Sequence, residues 1–99
     1  MNMTYLWTWS GRYFGYRQGN QLWTSSGIHA GMIYDDEVYD HKGHYLGEIL
    51  HGRLIRNPQK KYFRKYPSVC YGRKAAIAKY ADYAGYAMYS GWEDFPAIH

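Results

Sequence analysis

The chain has one cysteine, three prolines and no apolar run approaching eighteen residues. A lone thiol, Cys70, cannot form an intrachain disulfide, so a reducing compartment is the simplest setting. Without a long apolar run no transmembrane helix is expected. The opening MNMTYLWTWSGR lacks the basic n-region and apolar h-region of a secretory signal, so a cytoplasmic location is expected. Catalytic signatures are missing too. No nucleophile, base or acid stands in a recognisable constellation, so no catalytic residue is assigned and an enzyme ranks last among the function classes.

Rings, glycine and a modest positive charge are what the chain does have. Of its 99 residues, 20% are aromatic, with 13 Tyr and 4 Trp, and the net charge is +4. The length fits one domain, 1–99, with a modest core. Rings with one dry and one wet end suit interfaces. The charge permits weak attraction to phosphate or anionic lipid without demanding it.

Glycines four apart recur every sixteen residues: Gly11 and Gly15, Gly27 and Gly31, Gly43 and Gly47. The units read GRYFGYRQGNQLWTSS, GIHAGMIYDDEVYDHK and GHYLGEILHGRLIRNP. An apolar pair keeps the same step as Leu6-Trp7, Leu22-Trp23, Val38-Tyr39 and Leu54-Ile55. Each unit reads as a β-hairpin, because Gly19-Asn20, Asp35-Asp36 and His51-Gly52 put residues that accept positive φ between β-rich runs. The expected fold is mainly β. An antiparallel meander of about seven short strands (4–8, 12–18, 21–25, 28–34, 37–41, 44–50 and 53–57) occupies 1–57.

Side-chain parity makes both faces of that sheet apolar. One carries Trp7, Trp23, Tyr39 and Ile55, the other Leu6, Leu22, Val38 and Leu54 with Gly15, Gly31 and Gly47. Both faces then need cover. The glycines either let another backbone or ring approach closely or form bulges. Residues 58–72 read as a basic, aromatic connection and 73–99 as a C-terminal α-helix, about 73–89, with a tail. The helix expectation rests on Ala-rich spacing that groups Ile77, Ala81, Ala84 and Met88 on one face. One helix covers one face, so the other predicts a homo-oligomer, a tetramer, with Gly15, Gly31, Gly47, Trp7, Trp23 and Tyr39 as its interface or axial contacts. Aromatic strands converging on such an axis could wall a narrow channel.

WSGRYFGY (9–16), YDHKGHYLGEI (39–49), RLI (53–55), GRKAA (72–76) and GYAMYSGW (85–92) together resemble the bacterial four-fold β-flower family. The resemblance implies a homotetramer with β-sheets around a four-fold axis and no assigned activity. The family is distantly similar to Tubby C-terminal-like domains, some of which bind phosphoinositides, but no shared head-group motif carries a lipid-binding residue onto this chain.

Eight of the twelve Lys and Arg residues lie between 53 and 74. Lys60, Lys61, Arg64 and Lys65 alternate with Tyr62, Phe63 and Tyr66, the mixture that holds phosphates and stacks rings. Arg73 and Lys74 sit where the expected helix begins, a place that welcomes an anion. These six cations are the candidate site for an anionic partner, a phosphoinositide head group or nucleic acid. The competing reading is a solvated loop whose rings pack on the sheet. His41, His44 and His51, with Asp35, Asp36, Glu37 and Asp40 nearby, are spread over a connection, a strand start and a hairpin tip, so no metal or cofactor is assigned.

Overall fold

The computed structural model describes residues 3–98; Met1, Asn2 and His99, which the single-domain reading includes, lie outside the described residues. Seven strands follow one another: β1 Met3–Thr8, β2 Tyr13–Gln18, β3 Gln21–Thr24, β4 His29–Tyr34, β5 Glu37–Tyr39, β6 Tyr45–Leu50 and β7 Arg53–Arg56. Each pairs antiparallel with the next. Gly19 takes φ 60°, whereas Asp35-Asp36 (48° and 69°) and His51-Gly52 (51° and 74°) are positive at both positions, as type I′ hairpin turns demand.

The strand positions agree closely with those expected, but their arrangement does not. The sheet is no open meander: Trp7 and Thr8 of β1 pair with Arg53 and Leu54 of β7 and close a mixed barrel. An odd number of alternating strands makes that last pairing parallel. A two-residue strand, β8 Glu93–Asp94, pairs antiparallel with Ile55 and Arg56 on the same edge of β7.

The repeated glycines help the sheet curl. Register slips by one residue after Leu6, Leu22 and Val38, whose partners are Gly15, Gly31 and Gly47. Such bulges bend a strand and increase its twist, which a small barrel needs. A Cβ on Gly15 would lie 2.1 Å from the Trp23 carbonyl oxygen, and one on Gly31 2.3 Å from that of Tyr39. At Gly47 it would strike the Phe95 ring at 2.5 Å. Both roles weighed from the sequence, bulge and close approach, therefore occur within one chain.

Barrel closure turns one apolar face inward. Leu6, Leu22, Val38 and Leu54, sixteen apart, are at most 2% exposed and belong to one core cluster. Phe14, Ala30 and Leu46 extend it, and Phe95 packs edge-on against Phe14 at 5.2 Å. Burying each large side chain contributes about 1.5–3 kcal/mol. The pseudo-four-fold axis of the barrel is thus filled with side chains.

The other face is covered by residues 57–92, hereafter the arm. It leaves β7 through a 3₁₀ turn, Pro58–Lys60, which Asn57 caps by accepting from the Gln59 N–H. Beyond it no α-helix forms, which corrects the expected helix over 73–89. A helix would spend its N–H groups on its own carbonyls. Here they go to the barrel's loops, which would otherwise lose those partners. Gly85 also lies against the barrel: a Cβ there would be 2.6 Å from the Ser10 carbonyl oxygen. No helix among the described residues is long and apolar enough to cross a membrane.

Candidate functional site

The arm visits the loops of the barrel at matched intervals. The carbonyls of Gly43, Gly27 and Gly11 accept from the N–H groups of Lys65 (2.9 Å), Lys74 (2.8 Å) and Tyr83 (2.7 Å). Three residues on, Ser68, Ile77 and Tyr86 donate to His41 (2.9 Å), Ser25 (3.0 Å) and Trp9 (3.0 Å). The barrel steps by sixteen residues while the arm steps by nine in the opposite sense, so three equivalent docking stations result. At each glycine φ is 90–96°, and a Cβ would stand 2.0 Å from the arm carbonyl of the same station. Only glycine accepts both conditions.

Side chains repeat the correspondence. The Lys65 Nζ lies 5.6 Å from the Tyr39 ring centroid and the Lys74 Nζ 4.4 Å from that of Trp23. At the third station Tyr83 stacks on Trp7 at 4.0 Å, with the planes 13° apart. Two stations therefore hold an ammonium on a ring, worth about 0.5–1 kcal/mol where exposed, and the third holds ring on ring. Trp23 and Tyr39 are buried inside the chain by these contacts, and Trp7 is half-buried.

The start of the arm is clipped by charge. The Lys60 ammonium donates to Glu37 (2.8 Å) and Glu48 (2.9 Å). The hydroxyls of Tyr39 and Tyr45 donate to the same two carboxylates at 3.0 and 2.7 Å. Burial alone would raise the Glu37 pKa, but hydrogen bonds from Lys60 and Tyr39 outweigh it and hold the carboxyl below its usual range. Tyr39, desolvated and bonded to a carboxylate, is pushed up to about 12. Both phenols stay protonated donors at neutral pH.

The six predicted cations are scattered among these roles. Lys60 is neutralised by its two carboxylates. Lys65 and Lys74 lie on rings, and the Lys74 Nζ also donates to the Gln18 side chain at 2.6 Å. Arg64 donates to the carbonyls of Lys61 and Phe63. Lys61 lies 5.1 Å from the Tyr62 ring. Arg73 bridges to Ile28 through the backbone and stands at no helix N-terminus, because there is none. Arg64, Lys65 and Tyr66 do line a shallow concavity of about 310 Å³. Among the described residues no group of His, Cys, Asp or Glu could hold a metal ion, and Cys70 is exposed.

Sequence reasoning missed Trp9 and Arg53. The Arg53 guanidinium is buried, donates to the Ala84 carbonyl at 2.9 Å and stacks 4.0 Å from the Tyr86 ring. Trp9 is 2% exposed, its indole N–H donates to the Ala87 carbonyl at 2.9 Å, and it underlies a concavity of about 320 Å³ beside His51, Tyr86 and Tyr89. A third, more polar cavity of about 190 Å³ opens between Thr8, Thr24 and the tail at Asp94 and Phe95. One signal could have revealed the arm. From Lys65 onward it divides into triplets (KYP SVC YGR KAA IAK YAD YAG YAM YSG), and nine residues are three of them.

A family model described as "4-fold beta flower protein" matches residues 1–90. No curated protein and no solved structure matches the chain.

Proposed function

We propose, since the chain belongs to the 4-fold beta flower family, that it is a non-catalytic β-module that associates with further copies of itself through the first half of the arm. The observation that carries this reading is exposure. Tyr62 is 75%, Tyr66 92%, Val69 65% and Tyr71 54% exposed on one short segment. Together with Phe63 they offer apolar area of order 500 Å², a large share of the ~800 Å² that each partner gives to a standard interface. A patch of this size is at the upper end of what a monomer leaves uncovered, and such patches are often functional. The need for cover expected from the two sheet faces is met within the chain by barrel closure and the arm, so the ground for association moves to the arm's outer side.

A cyclic four-fold assembly uses a heterologous interface. The basic arm of one copy then meets a different surface of the next, and like charges need not face each other. The family description supports a tetramer as the expected size. Light scattering at micromolar concentration tests it: a tetramer is expected, and Tyr62→Ser with Tyr66→Ser should shift it to monomer, with the folded barrel retained by circular dichroism and the melting temperature no longer dependent on concentration. A monomeric parent protein would refute self-association. A dimer would keep the arm as interface and assign the four-fold description to the quarters of the single barrel.

The concavity of Arg64, Lys65 and Tyr66 favours a second reading, an anionic partner such as a phosphoinositide head group or nucleic acid. Cations acting on phosphates give binding that weakens steeply with salt, whereas association through rings does not. Substituting Lys61, Arg64 and Lys65 by Ser should abolish such binding. Binding that ignores salt would remove this reading.

A further inference from the structure

The three docking stations are equivalent, so a departure at one of them is informative. At the position three residues into the station, two stations pair small or polar barrel residues with modest arm residues: Ser25 with Ile77 and His41 with Ser68. The station at the seam, where β1 meets β7, pairs Trp9 with Tyr86 instead. The backbone bond is the same length at Ser25 and Trp9, 3.0 Å. Docking the arm therefore does not require the two rings.

What the rings build is a concavity of about 320 Å³ floored by Trp9 and walled by Tyr86, Tyr89 and His51. Their centroids lie 5.0, 5.1 and 6.2 Å from that of Trp9, with planes tilted by 73°, 47° and 40°. Trp9 is held firmly, by its own N–H on Ala87 and by its backbone N–H on the Leu54 carbonyl at 2.8 Å. His51 is fixed in the left-handed region at the β6–β7 turn and stands exposed at the rim. The size lies at the lower end for small-molecule pockets, enough for one ring system.

Aromatic boxes commonly hold cations, but charge argues against that here. The Arg53 guanidinium already occupies one face of the Tyr86 ring at 4.0 Å, and the chain carries a net +4. A second cation on that wall would be repelled, whereas an anionic ring would gain from the same field and a neutral ring would not be opposed by it. We propose that the Trp9–His51–Tyr86–Tyr89 concavity is a binding site for a planar, neutral or anionic heteroaromatic small molecule. The chemistry is shared by a free nucleotide and an indole carboxylate. It lies at the far end of the arm from the Tyr62–Tyr71 association face and is independent of it.

The probes are AMP, indole-3-acetate and choline, titrated into the full chain and followed by the indole and imidazole NMR signals of Trp9 and His51. Saturable shifts with AMP, with indole-3-acetate or with both, together with none from choline, support the site and identify which ring source it prefers. Tyr89→Ser should weaken that binding roughly tenfold, within the range found for losing one ring–ring stack, with the fold retained by circular dichroism. Should Tyr89→Ser fail to fold, His51→Ala, at an exposed turn, carries the test with the same expected direction. Choline binding as tightly as the anionic rings, no saturation by any probe at millimolar concentration, or variants that bind like the parent would overturn the proposal.

Discussion

Replacing Gly27 by Ala tests the docking stations directly. Gly27 has φ 91°, and an added Cβ would stand 2.0 Å from the Lys74 carbonyl oxygen. The positive φ costs an L-residue about 1–2 kcal/mol. Relieving the clash pushes the arm away, which sacrifices the Lys74 N–H bond to Gly27, worth about 1 kcal/mol. It also lifts the ammonium off Trp23, worth a further 0.5–1 kcal/mol or so. Gly19→Ala is the natural control, because Gly19 also has positive φ, 60°, yet nothing lies within 4 Å of its would-be Cβ. The backbone strain then largely cancels between the two variants and the arm contact remains, about 1.5–2 kcal/mol. For a domain of this size that difference lowers the melting temperature of Gly27→Ala by roughly 6–16 °C relative to Gly19→Ala. Calorimetry measures it, and limited proteolysis should show the arm cut faster near Lys74 in Gly27→Ala alone. Equal melting temperatures and equal cleavage would show that the arm does not rest on the glycine.

Two further outcomes concern charge. Lys60→Met leaves Glu37 and Glu48 facing each other without the ammonium, and should cost about 1–2 kcal/mol at pH 7 in chemical denaturation. Because the folded Glu37 pKa is depressed, its contribution is present above the ordinary carboxylate range and lost as pH falls through the folded value, so the gap between parent and variant should close in acid. His29 is held in its neutral rather than its charged form: burial first, then the charges of His41 and Lys74, lower its pKa. The unfolded chain then binds the proton more readily, and stability should fall as pH drops below about 6.5. His29→Phe should flatten that part of the profile; the equivalent positions hold Tyr13 and Tyr45, so a six-membered ring fits. An unchanged profile would show that His29 is not held neutral.

The strands were legible because period-two alternation and sixteen-residue spacing are local properties. Closure was not, since it rests on two residue pairs between the first and last strands of the repeat region, Trp7–Arg53 and Thr8–Leu54, each 46 residues apart in sequence. The helix expectation failed for a specific reason. Ala75, Ala78, Ala81, Ala84 and Ala87 recur every third residue, and Ile77, Tyr80, Tyr83, Tyr86 and Tyr89 do the same. Over one or two turns, i,i+3 neighbours pass for a helix face. Over five repeats they drift around a 3.6-residue helix, and what they mark is an extended strap. The basic segment was found, but composition could not say that Lys60 is neutralised or that Lys65 and Lys74 lie on rings, because Glu37, Tyr39 and Trp23 stand 23 or more residues from the cations they meet and Glu48 stands 12 away on another strand.

Internal repetition separates what the scaffold needs from what it merely carries. Gly11, Gly27 and Gly43 do the same thing at every station, and so do the N–H groups of Lys65, Lys74 and Tyr83. A feature common to all three is explained by docking the arm. The seam is where the repeat is broken: a half-unit, β1, meets a complete one, β7, in parallel, and β8 fills the edge left beside it. There the chain places Trp9, Tyr86 and a buried Arg53, none of which the other stations use to bind the arm. At the seam these large side chains pack against the arm, Arg53 on Tyr83 and Tyr86 and Trp9 on Tyr86 and Tyr89. The same side chains leave a ring-lined hollow facing outward, which closure alone does not require. Packing accounts for the inner faces of Trp9 and Arg53, whereas His51, Tyr86 and Tyr89 keep exposed outer faces, the surface that the proposed ring ligand would cover.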